Sequence, residues 1–166
     1  MRGVIILNRI VKLSLILALS VFLITGGWYF LSPSLAPSEE RFSIVLLWQT
    51  DEEVVSGEDI IVYNQSSHEI KLTEGGINKI KGFELVKKNF EIKLNNKRIY
   101  GGTFWSNIFS EPKEGVVILD VLLLQQGKTD TLKIEPSYPP SLFKGEDPRN
   151  NTEIFNYFRK VGKLIQ

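Results

Sequence analysis

His68, the only histidine of the chain, has the neighbours that come closest to a catalytic pattern. Ser66 and Ser67 precede it and Glu69 follows it, and a serine, a histidine and a carboxylate are the groups of a nucleophilic hydrolase. Neighbours on one turn or strand seldom have the mutual geometry of a triad, and the sequence has no nucleophile-elbow pattern. One histidine also supplies too few nitrogen ligands for a typical zinc site. We therefore expect His68 to be structural or solvent-facing.

Two acidic clusters suggest a second kind of chemistry. Calcium takes six to eight oxygen ligands, but the spaced Asp and Asn pattern of a dedicated calcium loop is absent. A glycosidase needs two carboxylates across a cleft at a defined separation, which spacing along the chain does not fix. Turns and a helix entry are the simpler interpretation, and we expect no metal and no cofactor. The clusters are Asp51 to Glu53 with Glu58 and Asp59, and Glu146 with Asp147.

A third candidate is an aromatic surface formed by Tyr100, Phe104 and Trp105. The glycines at 101 and 102 permit a bulge or the close approach of another backbone. If Tyr100 and Phe104 point outward, they form a flat platform for a sugar ring, a peptide or a partner protein. The alternative is that Trp105 fills the core and the glycines only bend the strand.

Basic side chains are concentrated between residues 79 and 98. On a tethered domain they could contact anionic lipid or an acidic polymer, at about 1 kcal/mol per residue near a charged surface. The alternative is a solvated strand face whose charges discourage aggregation between sheet edges. The residues are Lys79, Lys81, Lys87, Lys88, Lys93, Lys97 and Arg98.

The segment from Leu13 to Leu31 is uncharged and almost wholly apolar. A helix needs roughly 20 apolar residues to cross a bilayer, so this segment is just long enough. The nearby basic residues all precede it, and the first charges after it, Glu39 and Glu40, are acidic. Because Lys and Arg stay on the cytoplasmic side, the pattern predicts a single-pass anchor with its N-terminus inside.

The predicted organisation follows from this anchor. We assign residues 1–12 to a short cytoplasmic segment, 13–31 to the membrane, 32–41 to a linker and 42–166 to one extracytoplasmic domain. A cleaved signal peptide is the main alternative, since 13–24 matches the usual apolar core and small residues precede Trp28. Cleavage would yield a secreted protein. A pilin-like assembly helix is less favoured, because Arg9 and Lys12 interrupt the apolar run.

The composition of the outer domain restricts its partners. Residues 35–166 keep all 19 acidic side chains but only 17 of the 20 basic ones. Clustered positive charge supplies much of the affinity for nucleic acid, so nucleic-acid binding is not expected. There is no cysteine, which excludes disulfides and thiolate metal sites.

Short runs rich in β-branched and aromatic residues, separated by turn residues, predict about seven strands. Their spacing near 10 residues favours an all-β domain, specifically an immunoglobulin-like β-sandwich, although it does not give the strand order. The segment 73–83 fits either one helical turn or an irregular crossover. The predicted strands are Phe42 to Trp48, Asp59 to Tyr63, Glu69 to Leu72, Phe90 to Leu94, Arg98 to Trp105, Val116 to Leu124 and Thr131 to Ile134.

A C-terminal α-helix is predicted to follow the strands. Asn150 or Asn151 can cap its start. Its apolar face needs a partner, and closure of the sandwich is favoured over docking to another protein. The face consists of Ile154, Phe155, Phe158 and Val161.

The leading functional hypothesis is a non-enzymatic, membrane-anchored binding or assembly module of the cell envelope. Its binding surface would be Tyr100, Phe104 and Trp105, and its partner an envelope protein or polysaccharide. The first alternative is an envelope hydrolase that uses carboxylates. The second is a secreted ligand-binding domain released by signal-peptide cleavage.

Overall fold

Residues 40–166 are the part of the chain that the computed structural model describes, and they form one compact unit. The predicted span from Leu13 to Leu31 and most of the linker lie outside the described residues. Within residues 40–166, no helix has both the length and the apolar character needed to cross a membrane.

The domain is mostly β-sheet, which confirms the coarse prediction. In the described part of the chain, hydrogen bonds join nine strands in a single sheet, in the order β2-β1-β5-β6-β7-β8-β4-β3-β9. The immunoglobulin-like arrangement, which requires two packed sheets, is not confirmed. The strands are β1 (Phe42–Leu47), β2 (Asp51–Ser56), β3 (Ile60–Asn64), β4 (Glu69–Leu72), β5 (Asn89–Leu94), β6 (Lys97–Phe104), β7 (Val117–Leu119), β8 (Thr131–Glu135) and β9 (Leu164–Ile165).

The sheet curls strongly. β2 and β3 lie near opposite ends of the strand order, yet only residues 57–59 connect them along the chain. So short a connection reaches at most about 14 Å, so the two ends of the sheet must approach each other. The backbone amide of Gly57 donates to the carbonyl of Phe42 at 2.9 Å, beside the start of β1. The curled sheet encloses the main apolar core.

Three strands differ from the sequence prediction: β2 and β9 are not among the seven predicted strands, and β7 is shorter than predicted. β2 was interpreted as a turn because Asp51, Glu52 and Glu53 are charged, but its inner residues Val54 and Val55 are fully buried. The predicted strand from Val116 to Leu124 ends early, at β7. Asp120 adopts φ 67°, in the left-handed region that ends a strand, and a short helix follows it.

Within residues 40–166, three α-helices accompany the sheet: α1 (Glu74–Lys81), α2 (Val121–Gln125) and α3 (Thr152–Lys160). Thr73 caps α1, since its hydroxyl accepts a bond from the amide of Gly76 at 3.1 Å. Asn151 rather than Asn150 caps α3, accepting from the amide of Ile154 at 3.2 Å. A 3₁₀ turn spans Pro140–Leu142.

Helix α3 packs on the concave side of the sheet. Phe158 is fully buried, stacks on Tyr63 of β3 at 4.9 Å and contacts Phe42 of β1 at the same ring distance. Ile154 and Phe155 are also buried, as predicted, but Val161 is 43% exposed. Val161 lies just past the last turn of the helix. The helix therefore connects the two ends of the curled sheet.

Candidate binding pocket

A polar pocket lies beyond the C-terminal end of β3. Its volume of about 630 Å³ falls within the usual range for small-molecule sites. Because β3 begins near Phe42, the pocket lies at the opposite end of the strands from the start of β1. The lining residues are Gln65, Ser66, Ser67, His68, Lys133, Glu135, Asp147, Arg149, Asn150 and Gln166.

The turn between β3 and β4 forms one wall. The side-chain oxygen of Asn64 accepts bonds from the amides of Ser66 and Ser67 at 2.9 and 3.0 Å, as in an Asx turn. His68 then adopts φ 53°, and its carbonyl accepts from the amide of Ile134 on β8 at 3.0 Å. The turn therefore fixes the backbone of His68 next to β8.

His68 is buried, and its Nδ1 lies 2.8 Å from the hydroxyl oxygen of Tyr63. A neutral imidazole makes this bond in either tautomer, because Nδ1 can accept from the hydroxyl or donate to it. Burial lowers the pKa of His68, and the nearby charge of Arg149 lowers it further. The neutral form of the ring is therefore favoured.

Arg149 organises the opposite wall. Its Nη2 donates to a carboxylate oxygen of Asp147 at 2.7 Å, and its Nε contacts both oxygens of that group at 3.0 and 3.1 Å. Its Nη1 donates to the carbonyl of Ile134 at 2.7 Å and lies 3.5 Å from Glu135. Burial alone would raise the pKa of Asp147, but the bonds from Arg149 outweigh it and the pKa is lowered.

The pocket charges balance one another. Lys133 lies 2.7 Å from Glu135, so two basic groups face two acidic ones. Neutral groups are left over: within residues 40–166, no partner bonds the hydroxyl of Ser66 or the side-chain amides of Asn150 and Gln166. The amide oxygen of Gln65 is buried without a partner. The pocket can therefore accept and donate neutral hydrogen bonds.

The hydrolase interpretation of His68 is not supported by this geometry. The hydroxyl of Ser67 donates to Glu69 at 3.1 Å, while Nδ1 of His68 is bonded to Tyr63. No serine–histidine hydrogen bond therefore forms in the turn, and the expected structural position of His68 is what the structure has.

The predicted aromatic surface is not exposed, which corrects the expectation that Tyr100 and Phe104 point outward. Tyr100 and Phe104 belong to the main core, at 7% and 0% exposure. Trp105 is 6% exposed and packs with Val117 in a second, smaller core. At Gly102, a side chain would overlap the carbonyl of Val116. The glycine therefore permits the close approach of a neighbouring strand.

The basic stretch is mostly neutralised by neighbouring carboxylates. This arrangement matches the solvated charged face and leaves little excess charge to attract an anionic surface. The pairs are Lys79 with Glu53 and Asp59, Lys87 with Glu111, Lys93 with Asp51 and Glu91, Lys97 with Glu153, and Arg98 with Glu91.

The first acidic cluster has a structural role at Asp59, which accepts bonds from the amide and hydroxyl of Ser56 at 2.7 and 2.8 Å. Burial opposes ionisation there, but these bonds and Lys79 lower the pKa of Asp59. Within residues 40–166, no group of three or more candidate ligands is arranged to hold a metal ion.

Sequence reasoning missed Gln65, Lys133, Glu135 and Arg149 as pocket residues. The pocket joins a turn near residue 65 to β8 through the antiparallel pairing of Glu69 with Lys133, which sequence spacing does not reveal. Asp147 was considered, but only as part of a helix entry. No protein family, no curated protein and no solved structure matches this chain.

Proposed function

We propose that the chain is a membrane-anchored, extracytoplasmic binding module of the cell envelope, and that the pocket beside His68 is its ligand site. The anchor is the segment from Leu13 to Leu31, oriented by the basic residues before it and the acidic residues after it. The observation that carries the binding role is the pocket itself, which combines internally paired charges with unused neutral hydrogen-bonding groups.

The ion pairs favour a binding site over a hydrolase that uses carboxylates. Glu135 and Asp147 both face Arg149, which lies between them. A general acid must keep its proton near neutral pH, which requires a raised pKa. The pKa of Asp147 is instead lowered. The two carboxylates serve to hold Arg149 in place.

Two serine substitutions test the proposal. Ser66 is exposed and lines the pocket, so Ser66→Trp fills the opening without disturbing the core. Ser110→Trp is the control, because Ser110 is exposed and does not line the pocket. Each variant is purified from crosslinked membranes with an antibody against the domain, and mass spectrometry reads the mature mass and the crosslinked species together.

We expect an uncleaved chain and an envelope species that is lost in Ser66→Trp and kept in Ser110→Trp. Protease added to intact cells should digest the domain. A domain protected from external protease, or crosslinked species indifferent to Ser66→Trp, would contradict the proposal. A shortened mature mass would instead indicate the secreted alternative.

A further inference from the structure

The unused groups of the pocket define the chemistry of its ligand. Three of the five N–H donors of the Arg149 guanidinium bond to Asp147 and to the carbonyl of Ile134, and Nη1 also lies 3.5 Å from Glu135. The fork formed by Nε and Nη2 is therefore occupied by Asp147, so the bidentate geometry by which arginine typically recognises a phosphate or carboxylate is already in use. An anionic ligand would also face the carboxylates of Asp147 and Glu135.

Cationic and apolar ligands fit no better. Glu135 is already paired with Lys133 and Arg149, and Asp147 with Arg149, so a cation would have to displace a basic side chain. All ten lining residues are polar or charged, so an apolar group would bury little apolar surface there. The remaining ligands are neutral ones with several hydroxyl or amide groups.

The free protein groups are suited to such a ligand in both directions. His68 and Gln65 also line the pocket, and the amide oxygen of Gln65 is buried without a partner. The hydroxyl of Ser66 and the amides of Asn150 and Gln166 can each donate and accept. A hydroxyl also donates and accepts, so a ring with adjacent hydroxyls can pair with several of these groups at once.

We propose that the pocket binds a neutral saccharide unit of the cell surface. This inference rests on the proposed function, because an extracytoplasmic position is what brings such glycans within reach. A peptide is less suited, since peptide recognition commonly uses a strand edge or apolar recesses for side chains. The edge strand β9 beside the pocket has only two residues. Without an aromatic platform in the lining, affinity rests on hydrogen bonds, and dissociation constants of about 1 mM are expected.

Saturation-transfer NMR on the full chain in lipid nanodiscs tests the ligand class. Three hexasaccharides of different charge are compared: the neutral N-acetylglucosamine hexamer, its cationic deacetylated form and the anionic galacturonate hexamer. Maltohexaose supplies a second neutral sugar, and a neutral glycine–serine peptide represents peptide ligands. The variants are Ser66→Trp, Ser110→Trp and the double substitution Asn150→Ala with Gln166→Ala; Asn150 and Gln166 are both exposed.

We expect saturable binding of at least one neutral hexasaccharide, abolished by Ser66→Trp and unchanged by Ser110→Trp. The double substitution should weaken it by about tenfold, as expected for the loss of two neutral hydrogen bonds. Binding only by a charged hexamer or only by the peptide overturns the proposal, as does the absence of binding by both neutral sugars. Those results test only the class of ligand. The proposed function as an extracytoplasmic binding module is tested separately, by the protease and crosslinking experiment.

Discussion

Helix α3 borders two regions of opposite character. Along its length, Phe158 packs between Tyr63 and Phe42 and is fully buried. Just before its N-terminus, Asp147 and Asn150 line a polar pocket. Tyr63 belongs to both regions, because its ring stacks on Phe158 while its hydroxyl bonds to His68.

The aromatic core stabilises the domain, whereas the polar pocket has groups that remain available to bind a ligand. In the core, the apolar side chains pack against one another, so they stabilise the folded state but have no surface left to contact a ligand. In the pocket, the charged side chains pair with one another, whereas the neutral polar groups have no protein partner. Tyr100, Phe104 and Trp105 are packed in core regions, which is why they make a poor binding surface.

The largest effect is expected from removing the helix. Deleting residues 151–166 exposes the aromatic core between β1 and β3 and removes β9, and we expect the domain to lose its cooperative unfolding transition. Circular dichroism on heating measures this, with Val161→Ala as the control, since Val161 is 43% exposed and should shift the unfolding free energy by less than about 0.5 kcal/mol. An unchanged transition in the truncated chain would assign α3 to a partner instead.

A smaller loss is expected from Arg149→Met on the pocket side. The substitution leaves Asp147 and Glu135 without their shared partner, and losses of about 3 kcal/mol follow when one member of a buried pair is removed. Urea unfolding measures the change. Lys71→Met is the matched control, because Lys71 and Asp130 are both roughly half exposed and such pairs are worth at most about 1 kcal/mol. Equal losses of unfolding free energy in the two variants would contradict the organising role of Arg149.

Gly102→Ala tests the close approach of β7 to β6. The added methyl group meets the carbonyl of Val116 and the ring of Phe90, and overpacking of this kind costs about 1–3 kcal/mol. Gly75→Ala in α1 is the control, because its nearest neighbour would be an ordinary contact at 3.7 Å and alanine favours a helix. We expect Gly75→Ala to be neutral or stabilising in the same urea measurement. A neutral Gly102→Ala would show that the strands can separate without cost.

The smallest effect concerns pH. Because the pKa of His68 is lowered in the folded state, the unfolded chain binds more protons, and stability falls as pH drops below about 6.5 toward the folded pKa. The loss is about 1.4 kcal/mol for each unit by which the pKa is lowered. His68→Asn does not titrate and tolerates positive φ, so its urea midpoint should decline less between pH 7 and 5. If the urea midpoints of the wild-type protein and His68→Asn declined equally between pH 7 and 5, the lowered pKa of His68 would be contradicted.

Local features of the fold were predictable from sequence, whereas its long-range pairings were not. A helix cap at Asn150 or Asn151 and the strand at β4 were predicted from local residue types, and the structure has the cap at Asn151. β2 was missed because a charged edge strand with Val54 and Val55 on its inner part resembles a turn. The pocket was missed because Arg149, Lys133 and His68 meet only after β4 pairs with β8. The inward orientation of Tyr100 could not be predicted, because it depends on which face of the curled sheet packs against the core.

The most direct test of the binding module is site-specific photocrosslinking in intact cells. A photoreactive amino acid is placed at position 150, on the pocket, or at position 156, on the outward face of α3; Asn150 and Asn156 are both exposed. The account predicts a crosslinked envelope species from position 150 that is absent from position 156 and is lost when Ser66→Trp is added. The same crosslinked species from both positions, or none from position 150, would contradict it.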